Sequence, residues 1–312
     1  MAFPQLSQQY HFSKDVQQAR KFGAPIVALE SAVITHGLPY PENRQTALAM
    51  EAVVRENGAV PATIALLVGK VHIGLTADEV ESLASHQTTR KISLRDIGLA
   101  LANGLSGGTT VAATLFFAAQ AGIRVFATGG IGGVHRDAPF DISADLSQLG
   151  KSQVLVVCAG AKSILDLPAT REVLETQGIP VIGYRTNEFP AFYSRESGLK
   201  VDWRVDDPQD AAKIAQKAWS AGLKRAVLLV VPPPEGSALP GDRMEAAIRE
   251  ALEDARQMGI HGAETTPFLL RRVSELTGGE SQKANLALLK NNAVVAAQVA
   301  AAMGGIKKIG PV

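Results

Sequence analysis

Six short apolar runs punctuate the chain: Pro25–Glu30, Ala62–Val68, Arg124–Thr128, Val154–Cys158, Pro180–Gly183 and Ala226–Val231. Several show no apolar–polar alternation, which is the pattern of a strand covered on both faces. Longer segments between them repeat at helical spacing. Asn43–Glu56 sets Ala47, Met50 and Val54 on one face. Thr76-Ala-Asp-Glu79 has the form of a capping box that starts the next helix. Thr109–Gln120 is small and apolar, which predicts a buried helix. Asp207-Pro208 supplies a cap and a proline at the first helical position, opening a helix to about Ser220. Helices near Asp242–Met258, Pro267–Leu276 and Gln282–Met303 are predicted to close the chain.

This alternation predicts an α/β fold: a largely parallel β-sheet flanked by helices on both faces, an α/β/α sandwich, with right-handed crossovers. No linker rich in Pro, Gly or Ser and no internal repeat divides the 312 residues, so a single domain spanning 1–312 is expected.

Open parallel sheets bind ligands at the carboxyl ends of their strands. Three unusual features fall there. Glu30 follows Ile26-Val-Ala-Leu29, Thr128-Gly-Gly130 follows Val125-Phe-Ala127, and Lys162 follows the run Val154–Cys158. Lysine is rarely placed at the end of a buried run. Desolvation favours the neutral amine, which attacks a carbonyl or an anomeric carbon. An alternative is that Lys162 reaches solvent over its apolar stem, or pairs with Asp166 four residues on. Glu30 among apolar neighbours fits a carboxyl with a raised pKa and a general-acid role. It fits equally a carboxylate that caps a helix or pairs with an arginine. His36 reads as a loop histidine at the polar surface.

Composition narrows the function classes. The net charge is +1, charged residues make up 20% and aromatics 5%, with no basic block. Neither an electrostatic footprint nor a stacking platform for nucleic acid is present, and Lys307-Lys308 is too short for a polybasic tail. The lone Cys158 lies in an apolar run, permits no disulfide within one chain and suits a reducing, cytoplasmic location. Met1–Tyr10 lacks the basic and apolar regions of a secretory signal, and no run of about 18 apolar residues predicts a membrane span.

Three further segments carry candidate chemistry. Ser106-Gly-Gly-Thr-Thr110 reads as a glycine-rich turn into a helix, offering N–H groups and the Thr109 and Thr110 hydroxyls to a phosphate, or else as an ordinary cap. Lys91, in a basic stretch, either neutralises that phosphate or belongs to a solvated face. Thr128-Gly-Gly-Ile-Gly-Gly-Val-His-Arg136 follows a strand, but His135 stands where a dinucleotide fingerprint needs its third glycine. The glycines are expected to let backbone approach a ligand. A Walker pattern is absent, because Asp145 stands at the required glycine before Gly150-Lys-Ser152. Asp141 and Asp145 stand four apart, so a helix would put both on one face, a pair suited to Mg²⁺ or Mn²⁺. Asp141 as a helix N-cap, with Asp145 solvated, is the alternative.

Taken together the segments resemble the pseudouridine-5′-phosphate glycosidase family. The matching strings are Ala28-Leu-Glu-Ser31, Thr35-His-Gly-Leu-Pro39, Thr109-Thr-Val111, Val125–Arg136, Phe140–Leu146, Val157–Asp166, Ile182-Gly-Tyr184, Glu264–Leu270 and Glu275-Leu-Thr-Gly-Gly279. They span roughly residues 20–303. The resemblance implies reversible cleavage of pseudouridine 5′-phosphate to uracil and ribose 5-phosphate, Mn²⁺ or another divalent metal, and a homotrimer. It implies Lys162 as the covalent lysine, Glu30 as the proton donor and Asp141 as the metal ligand. It also implies substrate contacts at Lys91, Val111, Ser143, Ala144 and Asp145, and a uracil contact at Asn285. Thr128 and His135 join the expected substrate contacts. The segment Asp137-Ala-Pro139 is shorter than is usual in the family, which leaves the place of His135 open. Since the scissile bond is carbon–carbon, the paired-carboxylate scheme of ordinary glycosidases does not serve, and a lysine imine does. Two other readings share some of these features: an aldolase-like lyase that forms an imine with a phosphosugar, and a phosphosugar-binding regulatory module.

Overall fold

The computed structural model describes residues 9–86, 89–136, 138–260 and 265–304. Fourteen strands are present among them. In chain order they are β1 (Tyr10–Phe12), β2 (Ile26–Leu29), β3 (Val60–Leu67), β4 (Lys70–Ile73), β5 (Arg90–Ile92), β6 (Gly107–Thr109) and β7 (Val125–Ala127). There follow β8 (Val134–His135), β9 (Ala138–Ile142), β10 (Leu155–Cys158), β11 (Leu165–Asp166), β12 (Val181–Tyr184), β13 (Trp203–Val205) and β14 (Val227–Val230). One 11-stranded sheet runs β1-β4-β3-β2-β7-β10-β14-β12-β13, with β6 attached to β3 and β5 to β6. A small sheet, β11-β8-β9, stands beside it.

All six predicted strands are present, and β2, β7, β10, β12 and β14 are buried along their whole length. That is why their sequences do not alternate. Pairing among these five is parallel, whereas β3 meets β4 and β6 antiparallel. The sheet is therefore mixed, though mostly parallel. The capping box at Thr76 and Glu79 forms as predicted, and Asp207 caps the helix Pro208–Ser220. The helix Glu280–Ala302 packs across β2, β7 and β10 and carries Asn285 and Asn292 to the same end of the sheet as Glu30. No described helix is long and apolar enough to cross a membrane. Asp137, Glu264 and the Lys307-Lys308 pair lie outside the described residues.

Candidate active site

β2, β7 and β10 are neighbours in parallel register, so the three strand ends open on one cavity. Glu30 and Thr128 directly follow β2 and β7. The β7–β10 pairing continues beyond the strands through a bridge between Ile131 and Ala161, and the Lys162 N–H donates to Ile131 O over 3.0 Å. Arg136 ties down the rest of the lysine's loop: its Nη2 donates to Ser163 O at 3.0 Å and its Nε to Leu165 O at 3.2 Å. Glu245 holds the same guanidinium at 2.8 Å. Lys162 makes no ion pair among the described residues. Asp166 instead accepts from the Ala169 N–H at 2.9 Å as the cap of the helix Leu167–Thr176, so the pairing alternative for Lys162 does not hold.

The Thr128 hydroxyl donates to Glu30 Oε1. Burial pushes the Glu30 carboxyl above its ordinary value, against the opposing pull of Lys162 and of the Thr128 hydrogen bond. Neither a helix cap nor an arginine partner holds Glu30 among the described residues. Lys91, on β5, faces the same cavity. Burial and the nearby Lys162 push its ammonium below the usual lysine value, while Asp145 and Glu30 oppose them. Two lysine side chains and two carboxyl groups thus share one partly desolvated space.

Asp145 is buried, and both of its oxygens are taken by backbone: Oδ1 accepts from the Ala112 N–H at 2.8 Å, Oδ2 from the Gly132 N–H at 2.7 Å. The first contact lies at the start of the helix Val111–Gln120, where a negative charge is favoured. The position expected to receive an external anion is therefore filled in part by the protein's own carboxylate. This corrects the phosphate-turn expectation in two ways. Gly107-Gly-Thr109 is not a turn but strand β6, paired with β3 and β5. Thr109 is fully buried and its hydroxyl donates to Ile64 O at 2.6 Å, so it does not reach the cavity. Thr110 caps the helix, and it lines the cavity with Val111.

Asp141 and Asp145 share no helix face. Asp141 lies on β9, Ser143 caps the helix Ala144–Leu149, and Asp145 is that helix's second residue. Both acids nevertheless face one lobe of the cavity, with Ser143, Ala144 and His135. The Asp141 side chain is 56% exposed, and its Oδ2 lies 3.8 Å from His135 Nδ1. Thr128, fully buried, serves Glu30 rather than presenting its hydroxyl to a ligand. The glycine loop is only half a ligand cradle. Gly129, Gly130 and Gly132 all line the cavity, but a Cβ would sit 2.2 Å from Ser143 Oγ on Gly132 and 2.7 Å from the Phe192 ring on Gly130, so these two glycines also serve packing within the protein.

The second lobe shares Glu30, Lys91 and Lys162 with the first. Val33, Phe192, Leu270 and Leu289 give it apolar walls, and Asn285 and His36 add polar groups. The sequence assigns no role to Phe192, Leu270 and Leu289, which resemble any other core residue. Contrary to the surface loop expected for it, His36 ends a short helix, Ala32–His36, beneath the cavity.

A divalent cation fits one place here. Asp141 is a carboxylate left open at the cavity edge beside an imidazole, the kind of oxygen ligand that a hard cation takes. Among the described residues no three His, Cys, Asp or Glu side chains are grouped to hold an ion by themselves.

A carboxyl and an amine past two parallel-strand ends that flank β7, between a polar and an apolar lobe, define an α/β enzyme for a small molecule with both kinds of surface. The chain belongs to the indigoidine synthase A-like protein family, which it matches over residues 15–302. The pseudouridine-5′-phosphate glycosidase of Herpetosiphon aurantiacus is 58% identical over 295 residues, covering 93% of this chain and 96% of that one. The protein of the same name from Caldanaerobacter subterraneus subsp. tengcongensis is 54% identical over 298 residues, covering 95% and 97%. The crystal structure of the prealnumycin C-glycosynthase AlnA in complex with ribulose 5-phosphate superposes with a TM-score of 0.88 at 44% identity, covering 95% of this chain and 97% of that one. An indigoidine synthase A-like protein from Thermotoga maritima gives 0.84 at 38%, covering 89% and 92%.

Proposed function

We propose that this protein is a pseudouridine-5′-phosphate glycosidase: it interconverts pseudouridine 5′-phosphate and water with uracil and ribose 5-phosphate through an imine on Lys162. One observation carries the reading. Glu30, Lys91 and Lys162 border a single cavity whose one lobe is polar and whose other is apolar with an amide, Asn285. A sugar phosphate suits the first lobe and a flat base the second. Relatives at 54% and 58% identity that carry this name over nearly the whole chain support it, as does the likeness to a C-glycosynthase bound to a pentulose phosphate.

The chemistry follows from the bond. Protonating a carbon–carbon glycosidic link cannot release the base, so the sugar must first become an electron sink. Glu30 gives its proton to the ribose ring oxygen as the C1′–O bond breaks, and the Lys162 amine bonds to C1′. The amine then returns one proton to the Glu30 carboxylate, and its lone pair forms the protonated imine C1′=N⁺H as the C1′–C5 bond breaks; the bond electrons pass to uracil, and the proton held by Glu30 passes to C5. Water then hydrolyses the imine, freeing ribose 5-phosphate and the amine. Thr128 holds Glu30 in place, and Arg136 holds the lysine's loop. Lys91 balances phosphate charge. Ser143, Ala144, Val111 and Thr110 line the sugar-phosphate side with His135. Asp145, with both oxygens already engaged, is better suited to fixing this wall than to carrying protons. Asp141 would hold Mn²⁺ or a similar cation, which supplies Lewis-acid polarisation of sugar or phosphate oxygens and ordered water.

A cytoplasmic site of action agrees with the lone buried Cys158, whose thiol burial pushes up to about 12. A homotrimer accords with exposed Phe140 and Trp203, which another subunit would cover. A uracil-release assay on pseudouridine 5′-phosphate, with and without chelator, tests the function. Release of a smaller aldehyde without uracil would instead indicate an aldolase-like lyase.

A further inference from the structure

Thr35 and His36 close the short helix after Glu30, and the pair has no role in the chemistry above. His36 Nδ1 lies 2.7 Å from Thr35 Oγ1. The same oxygen lies 3.5 Å from the carbonyl of Ser31, one turn back. Gly108 presses against this hydroxyl, since a Cβ there would fall 2.4 Å from both Thr35 Oγ1 and Ser31 O. A hydroxyl has a single proton. Given to Ser31 O, it leaves the Thr35 oxygen to accept from Nδ1–H. That sets the tautomer and leaves Nε2 with a free lone pair. Burial, with Lys91 nearby, pushes the His36 imidazolium below its ordinary pKa, in keeping with a neutral ring. His36 borders the apolar lobe together with Asn285, and nothing among the described residues takes its Nε2.

A C-linked uracil differs from an N-linked one in a single respect that such a lone pair can read. Attachment through C5 leaves both ring nitrogens as N–H donors, whereas attachment through N1 leaves only one.

We infer that His36, held as its Nδ1–H tautomer by Thr35, accepts a hydrogen bond from a ring N–H of the base through Nε2 and so helps select C-linked over N-linked nucleotides. The inference rests on the proposed function. His36 is then a specificity residue, and Thr35 is its positioning residue.

The test compares pseudouridine 5′-phosphate with its N1-methyl and N3-methyl derivatives on wild type, His36→Leu and His36→Gln. Leucine fills a similar volume without an acceptor, and glutamine restores one. Wild type should cleave one methylated derivative at least about tenfold less efficiently than the parent, the cost of a buried acceptor left unpaired. His36→Leu should lose about that factor on the parent but not on that derivative, so that its discrimination collapses. His36→Gln should recover part of it, and Thr35→Val should lower discrimination with less effect on kcat. Melting temperatures identify any variant that fails to fold; if His36→Leu does, His36→Gln and Thr35→Val decide, a partial loss of discrimination in either supporting the inference and wild-type discrimination in both overturning it. Unchanged discrimination against both derivatives in a folded His36→Leu would overturn it. Failure of wild type to release uracil from the parent would overturn the functional reading itself, a separate outcome.

Discussion

The Ala112 N–H points at Asp145 Oδ1 across 2.8 Å, so the first turn of the helix Val111–Gln120 is neutralised from within the protein. Gly132 binds the other oxygen at 2.7 Å. An amide in place of this carboxylate has one acceptor for two donors and must aim its NH₂ at one of them. Asp145→Asn should therefore lose roughly 1–3 kcal/mol of stability, read by denaturant unfolding. It should also weaken phosphate-dependent binding, because Lys91 loses the anion that favours its charged form. Unchanged stability would mean that the two backbone contacts carry no net weight.

Glu30 links catalysis to pH. Its carboxyl binds a proton more tightly in the folded chain than in the unfolded one, because burial outweighs the pull of Lys162 and Thr128. The stability it contributes is present below the ordinary carboxylate range and is lost as pH rises through the raised pKa. Glu30→Gln removes that loss. Above the raised pKa the variant should melt no lower than wild type, and its advantage should fade on acidification. Turnover should nevertheless fall by about 10²- to 10⁴-fold, the usual contribution of a general acid. Wild-type turnover should decline as pH rises through the same pKa. A variant as active as wild type would remove Glu30 from the proton-donor role.

Arg136 reaches Ser163 O and Leu165 O on either side of the turn that follows Lys162. It touches no reacting atom in the proposed scheme, so its effect should be one of position. Arg136→Met should reduce kcat by roughly ten- to a hundredfold, the cost of a small misplacement of a nucleophile, with little change in KM. Steady-state kinetics separates the two constants. A rise in KM at constant kcat would assign Arg136 to binding instead.

Asp141 is open to solvent on β9, and its side chain caps no helix among the described residues. Asp141→Asn should leave stability within about 0.5 kcal/mol of wild type. The Mn²⁺ concentration needed for half-maximal uracil release should rise at least about tenfold, because a divalent cation held by one or two carboxylates depends on each of them. An unaltered Mn²⁺ titration would place the cation elsewhere.

What the sequence revealed tracks what local physics determines. The runs that became β2, β7 and β10 were legible because burial on both faces removes every polar residue from them. Their adjacency was legible only as a rule about strand ends. β6 was not legible. Gly107-Gly108 has a poor strand propensity, and its reason for being glycine lies far away in sequence: a Cβ on Gly107 would fall 2.3 Å from Arg90 O of β5. The four-residue spacing of Asp141 and Asp145 misled for a similar reason. Ser143 ends a strand and begins a helix between them, so a helical period was applied across a boundary. His36 was hidden because a histidine's value depends on the partner of its other nitrogen, and Thr35 supplies that partner only once the helix forms.

The central claim is that the Lys162 amine bonds to the sugar. Incubation with pseudouridine 5′-phosphate and borohydride, followed by peptide mass analysis, reads it directly. The account predicts a ribityl 5-phosphate adduct on Lys162, its absence without substrate, and loss of both adduct and turnover in Lys162→Ala. An unmodified Lys162 in enzyme that still releases uracil under the same conditions, or turnover that survives Lys162→Ala, would contradict it.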